Sequence, residues 1–157
     1  MFKERPNIFC LRASAGDAFS KLNAFDMALF KAGVGNMNLL KVSSILPPYC
    51  EYVEEIKFEE GSLIPVAYGA ASSSTRGELL SAAVACAIPK DKSKAGLIME
   101  YATRGKAKED TEKQVREMAL KGMQWRGYTV EKIMSISCEH RVEECGAAFA
   151  CVVLGWK

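Results

Sequence analysis

The chain has 157 residues, 49% of them apolar, enough to build the core of one domain and too few for two independent ones. Its 21 Lys and Arg nearly cancel 19 Asp and Glu, leaving no field strong enough to hold a phosphate backbone or an anionic membrane, so nucleic acid and lipid are poor partners. No segment approaches the ~20 consecutive apolar residues that span a bilayer, and MFKERPNIFCLRAS has no apolar run of signal-peptide length; a cytoplasmic protein is expected. The six cysteines, at positions 10, 50, 86, 138, 145 and 151, are mostly far apart in a chain large enough to fold without staples, and read as reduced, partly buried thiols. With no CxxC pair and His140 the one histidine, the usual zinc-ligand sets are nearly excluded, and no metal is expected.

Taken in order, residues 8–14 predict a first strand and residues 20–32 a helix that Gly33 terminates as its C′ residue. At about 100° per residue, Leu22, Phe25 and Leu29 share a helix face flanked by Phe19 and Phe30, and Asp26 falls inside that apolar arc. Residues 36–42 predict a strand that ends at Ser43 and Ser44, after which Pro47 and Pro48 turn the chain out of any sheet interior. Residues 51–60 are acidic and read as exposed. Residues 63–71, 79–88 and 96–102 predict three further strands, punctuated by SSSTRG and PKDKSK. Residues 106–126 carry Thr111, Val115, Met118, Ala119 and Met123 at helical spacing, with Gly127 as the stop. A strand over 130–142 alternates through Met134, Ile136, Cys138 and His140; residues 143–146 turn, and 147–154 give a last apolar strand. Two helices among six or seven strands predict an α+β fold with helices packed on sheet faces.

Few of these residues promise chemistry on their own. Ser43 and Ser44 sit between the glycine-rich AGVGNMNLLKV and a double proline, a constrained strand exit where unusual backbone geometry can be enforced. A peptide bond before a serine can be attacked by that serine's own hydroxyl, turning amide into ester. Asn38, six residues before Ser44, carries an amide able to donate to a developing oxyanion, although a strand-edge asparagine equally satisfies backbone. Glu100 shares a strand face with Ile98 and Ala102, where desolvation suits a carboxyl to donate a proton near neutral pH; a glutamate ending a strand can also simply reach solvent. Asp26 is costly to bury unpaired, and a guanidinium is its best matched bidentate partner, although a local salt bridge with a protein Lys or Arg would also satisfy it. His140, Trp125, Trp156 and the methionines read as structural, core or interface residues.

The blocks NAFDMALFKAGVGNMNLLKVSSILPP, GSLIPVAYG, AIPKDKSKAGLIMEY, VREMALKG and EHRVEECGAAFA, in this order and spacing, resemble the pyruvoyl-dependent arginine decarboxylases from about residue 19 to the C-terminus. The resemblance implies an αββα sandwich, two central and largely antiparallel sheets flanked by helices, formed by one domain over residues 1–157. It implies a zymogen that cuts itself between Ser43 and Ser44 by ester formation and β-elimination. Ser43 then ends a β chain, 1–43, and Ser44 becomes the pyruvoyl group heading an α chain, 44–157. That group would form a Schiff base with L-arginine and release agmatine and CO2, an entry into polyamine synthesis, with neither pyridoxal phosphate nor metal. The resemblance makes Asn38 a processing residue, Glu100 the proton donor and Asp26 the acceptor of the substrate guanidinium, with Leu22, Leu29, Gly35 and Met37 lining the pocket. It also implies a homotrimer of cleaved αβ units with sites between neighbours. Two rivals stand beside it: a pyruvoyl-dependent decarboxylase of another amino acid such as histidine, and a non-catalytic module of the same fold that never matures.

Overall fold

In a computed structural model, residues 4–157 are described. The elements run β1 (Ile8–Ala18), α1 (Lys21–Lys31), β2 (Asn38–Lys41), β3 (Ile45–Leu46), β4 (Glu51–Tyr52), β5 (Leu63–Ser73), β6 (Leu79–Pro89), β7 (Gly96–Arg104), α2 (Lys108–Trp125), β8 (Val130–Arg141) and β9 (Cys145–Gly155). One sheet has the order β2-β5-β9-β1-β4 and the other β3-β7-β6-β8. Pairing is antiparallel except where the short strands β2 and β4 join β5 and β1 in parallel.

The apolar runs of the central strands explain the layering. In β6, Ala82, Val84, Cys86 and Ile88 face the inter-sheet core while Ala83, Ala85 and Ala87 meet Val115, Ala119 and Met123 of α2. In β9, Ala148, Ala150, Val152 and Leu154 enter the same inter-sheet core, and Ala147, Phe149, Cys151 and Val153 meet α1. A strand covered on both faces has no polar alternate positions to offer. The result is the expected four-layer α+β sandwich, helix on sheet on sheet on helix. The small alanines let the helices lie close, and the buried Ser81 and Thr111 hydroxyls bond each other across the α2 contact.

Both helix stops behave as expected, with φ of 81° at Gly33 and 72° at Gly127, values that favour glycine. Ser20 caps α1 by accepting from the Asn23 N–H at 3.1 Å.

Several expectations are corrected. The buried face of α1 is formed by Ala24 and Ala28, with Phe25 and Leu29 at its edge; Leu22, Phe19 and Phe30 are 77%, 75% and 65% exposed. Small residues win the inner position because the helix lies close to the sheet, which rotates the larger apolar arc toward solvent. Trp125, read as core or interface, is not core: it is exposed at the end of α2. The acidic 51–60 segment is not wholly exposed: Glu51–Tyr52 pairs with β1, and Val53, Ile56 and Phe58 pack on the core beneath α1. Strand β1 runs four residues beyond the predicted end, to Ala18, because it follows β9 to Cys145.

Candidate active site

Ser44 lies in the link between β2, an edge of the five-stranded sheet, and β3, an edge of the other. Its hydroxyl donates to both Glu100 carboxylate oxygens, at 2.9 Å to Oε1 and 2.8 Å to Oε2, in a half-buried setting. Its carbonyl accepts from the Ile98 N–H at 2.8 Å, and the Ser43 carbonyl accepts from the Ile45 N–H at 2.8 Å. Upstream, the Val42 N–H donates to Val66 O at 3.1 Å. The serine pair is therefore fixed on both sides by main-chain bonds.

Glu100 reaches Ser44 because of strand parity. Ile98 and Ala102 pack in the inter-sheet core, whereas Leu97, Met99 and Tyr101 pack toward α2, so Glu100 projects inward. Opposite it stands Gly69 of β5. A Cβ there would lie 3.3 Å from Tyr101 N and 3.4 Å from Glu100 Cβ, so the missing side chain lets the two sheets approach where the carboxylate sits. Sequence reading passed over Gly69, although a lone glycine inside the strand pattern PVAYGAAS signals such a close approach. The Ile45 and Ile98 N–H donors carry no side-chain signature at all.

The other expected residues are placed differently. The Asn38 side-chain amide donates to Gly61 O at 3.0 Å, and its main-chain N–H donates to Ser62 O, so Asn38 ties the start of β2 to the turn before β5; no hydrogen bond joins it to Ser43 or Ser44. Asp26 is exposed and, among the described residues, makes no hydrogen bond or ion pair. It lies with Leu22 and Phe30 in one stripe at four-residue spacing on the outward side of α1. That side is opposite the five-stranded sheet, whereas Glu100 faces the space between the sheets, so one chain does not bring Asp26 to the Ser44–Glu100 pair. Leu29 and Met37 are half-buried under α1. Gly35 abuts the Phe30 backbone, where a Cβ would meet Phe30 Cα at 2.5 Å.

His140 is a structural residue: its Nε2 lies 2.8 Å from Asp17 Oδ2. Burial opposes ionisation of Asp17, but the Glu143 N–H, His140 and the Glu144 N–H all bond its carboxylate and together hold its pKa below the ordinary value. All six cysteines are free. Burial, followed by the neighbouring Glu51 charge, pushes the Cys50 thiol up to about 12, and burial likewise raises Cys10, Cys86, Cys138 and Cys151. These thiols are poor nucleophiles near neutral pH. Among the described residues no helix is long and apolar enough to cross a membrane, and no three His, Cys, Asp or Glu side chains converge as a metal site needs.

Comparison with known proteins shows the family. The family model for pyruvoyl-dependent arginine decarboxylase matches residues 7–156. A pyruvoyl-dependent arginine decarboxylase of Methanococcus aeolicus is 51% identical over 152 residues, covering 97% of this chain and 92% of the relative. That of Methanocaldococcus jannaschii is 50% identical over 153 residues, with the same coverage of each. One from Methanococcus maripaludis is 47% identical over 154 residues, covering 98% and 93%. The fold and these matches define a lyase of the pyruvoyl-dependent class. More narrowly, the chain belongs to the pyruvoyl-dependent arginine decarboxylase family.

Proposed function

We propose that this enzyme is made as a single-domain precursor, cuts its own backbone between Ser43 and Ser44, and converts L-arginine to agmatine and CO2 through the pyruvoyl group left at position 44. The observation that carries the reading is the Ser44 hydroxyl held on both oxygens of Glu100. A serine so placed has a base for its proton and a neighbouring carbonyl to attack. Glu100 accepts the hydroxyl proton during processing and is then the acid beside residue 44 that can return a proton during turnover. A pyruvoyl group supplies a ketone that binds the substrate amine and accepts the electron pair left by CO2; pyridoxal phosphate and a metal then have no part to fill. Asn38 supports processing by fixing the approach of β2 to Ser43.

Substrate recognition in this reading needs a second chain. Leu22 and Phe30 on α1, with Phe19 just before it, make a large apolar surface for one chain to leave in water, and Asp26 lies between Leu22 and Phe30. Leu40, Ile45 and Leu63, on the strands beside the serine pair, are exposed apolar residues as well. Two different patches on one chain make a head-to-tail contact, which gives a ring when its rotation closes. A homotrimer built this way seats one chain's Asp26, with Leu22 and Leu29 near it and Gly35 and Met37 shaping the following loop, over its neighbour's Ser44. There the carboxylate receives the guanidinium in a bidentate pair. The assembly works in the cytoplasm, where reduced cysteines are stable.

Intact mass spectrometry of the purified protein is the first test: fragments 1–43 and 44–157 are expected, the second lighter by one ammonia than a chain starting with serine. A full-length chain that decarboxylates arginine would refute self-processing. Asp26→Ala should then lower kcat/KM on arginine by about 10- to 150-fold, the worth of a charged hydrogen bond, while fragments still form. Equal activity on histidine and arginine in the wild type would reject the substrate assignment.

A further inference from the structure

The carbonyl that self-cleavage must attack is already hydrogen-bonded. The Ile45 N–H donates back to Ser43 O at 2.8 Å, two residues upstream, closing a three-residue turn with Ser44 at its centre. Ile45 belongs to a two-residue edge strand, where an N–H turned back on its own chain takes little from the sheet. The Asn38 amide, the donor expected from sequence, is engaged by Gly61 O instead. Ile98 N–H holds the next carbonyl, Ser44 O, at 2.8 Å, so the turn cannot rotate freely about Ser44.

We propose that the main-chain N–H of Ile45 is the oxyanion donor of self-cleavage, an assignment that rests on the self-processing reading above. Ser44 Oγ bonds to the Ser43 carbonyl carbon and its proton passes to Glu100. Negative charge gathers on Ser43 O, where the Ile45 N–H is already aimed. Collapse breaks the bond from the Ser43 carbonyl carbon to the Ser44 nitrogen, and that nitrogen takes the proton back from Glu100. The product is an ester between Ser43 and Ser44 Oγ with a free Ser44 amine, an isomer of the starting amide that needs no outside reagent. A donor preset where charge develops needs no reorganisation, and losing one slows comparable reactions by about 10²–10³.

The test follows self-cleavage of freshly synthesised full-length chain by denaturing electrophoresis and intact mass. Ile45→Ala and Ile45→Val keep the N–H and should cleave within about threefold of wild type. Ile45→Pro lacks it and should cleave about 10²–10³ more slowly. Hydroxylamine, which cuts esters, should not restore the rate, because the block precedes the ester. An Ile45→Pro chain that folds, by circular dichroism, and cleaves like wild type overturns the assignment; so does Ile45→Ala as slow as Ile45→Pro, or rescue by hydroxylamine. Should Ile45→Pro fail to fold, the hydroxy-acid analogue of isoleucine at position 45 replaces only the N–H by oxygen: the same slowing supports the donor and wild-type speed rejects it. A wild-type chain that never cleaves fails the self-processing reading itself, a result separable from all of these.

Discussion

Replacing Glu100 by glutamine isolates the base from the shape. The variant keeps the side-chain length and one acceptor oxygen but loses the carboxylate proposed to take the Ser44 proton. Two magnitudes compete. The hold on the Ser44 hydroxyl, now donated at 2.9 and 2.8 Å to a carboxylate, weakens from a charged to a neutral hydrogen bond, a loss of about 1 kcal/mol. Loss of a positioned proton acceptor costs about 10²–10⁴ in rate, equivalent to about 2.7–5.4 kcal/mol of barrier. The second term is larger, so Glu100→Gln should fold normally and cleave slowly. The assay is a time course of full-length chain against fragments 1–43 and 44–157, with Ser44→Ala as the variant that never cleaves. A Glu100→Gln chain that cleaves within about threefold of wild type would refute the reasoning, since the serine would then need no carboxylate.

Other outcomes follow from the same structure. Phe149→Ala removes a fully buried ring that lies 5.9 Å from Phe25 and 5.4 Å from Tyr68, and should cost about 3–5 kcal/mol in urea unfolding; a loss under about 1 kcal/mol would mean that the α1 layer is not packed as described. The depressed Asp17 pKa means that its contribution to stability is fully present above the unfolded carboxylate pKa and is lost as pH falls through the folded value. Asp17→Asn should therefore destabilise clearly at pH 7 and progressively less toward pH 3, and equal penalties at both ends would contradict the linkage. Leu22→Glu with Phe30→Glu should leave each chain folded but shift the sedimentation or light-scattering mass to that of a monomer; an unchanged assembly would move the contact off α1.

The architecture was legible because period and punctuation agreed. Apolar runs at residues 79–88 and 147–154, bounded by turn signals, read as strands, and Gly33 and Gly127 marked both helix ends. The face of α1 was not legible. Periodicity reports which residues are apolar, not which neighbour they meet, and Phe19, Leu22 and Phe30 look like core residues until the close-packed Ala24 and Ala28 claim the sheet. The site divides in the same way. Glu100 followed from strand parity with Ile98 and Ala102, but its meeting with Ser44 depends on pairing between distant segments. The two donors, Ile45 and Ile98, act through main-chain atoms that every residue type but proline possesses.

Strand β1 belongs to the segment before Ser43, yet all eleven of its residues pair with β9, from Ile8 opposite Gly155 to Ala18 opposite Cys145, and its far edge carries β4. A break after Ser43 therefore frees no piece. The shorter fragment of such a break would hold β1 inside the sheet and β2 at its edge, with β4, β5 and β9 coming from the longer one, and parting them means unravelling the whole sheet. Such a molecule can relinquish a covalent link without loosening, and the new chain end stays where the old bond was.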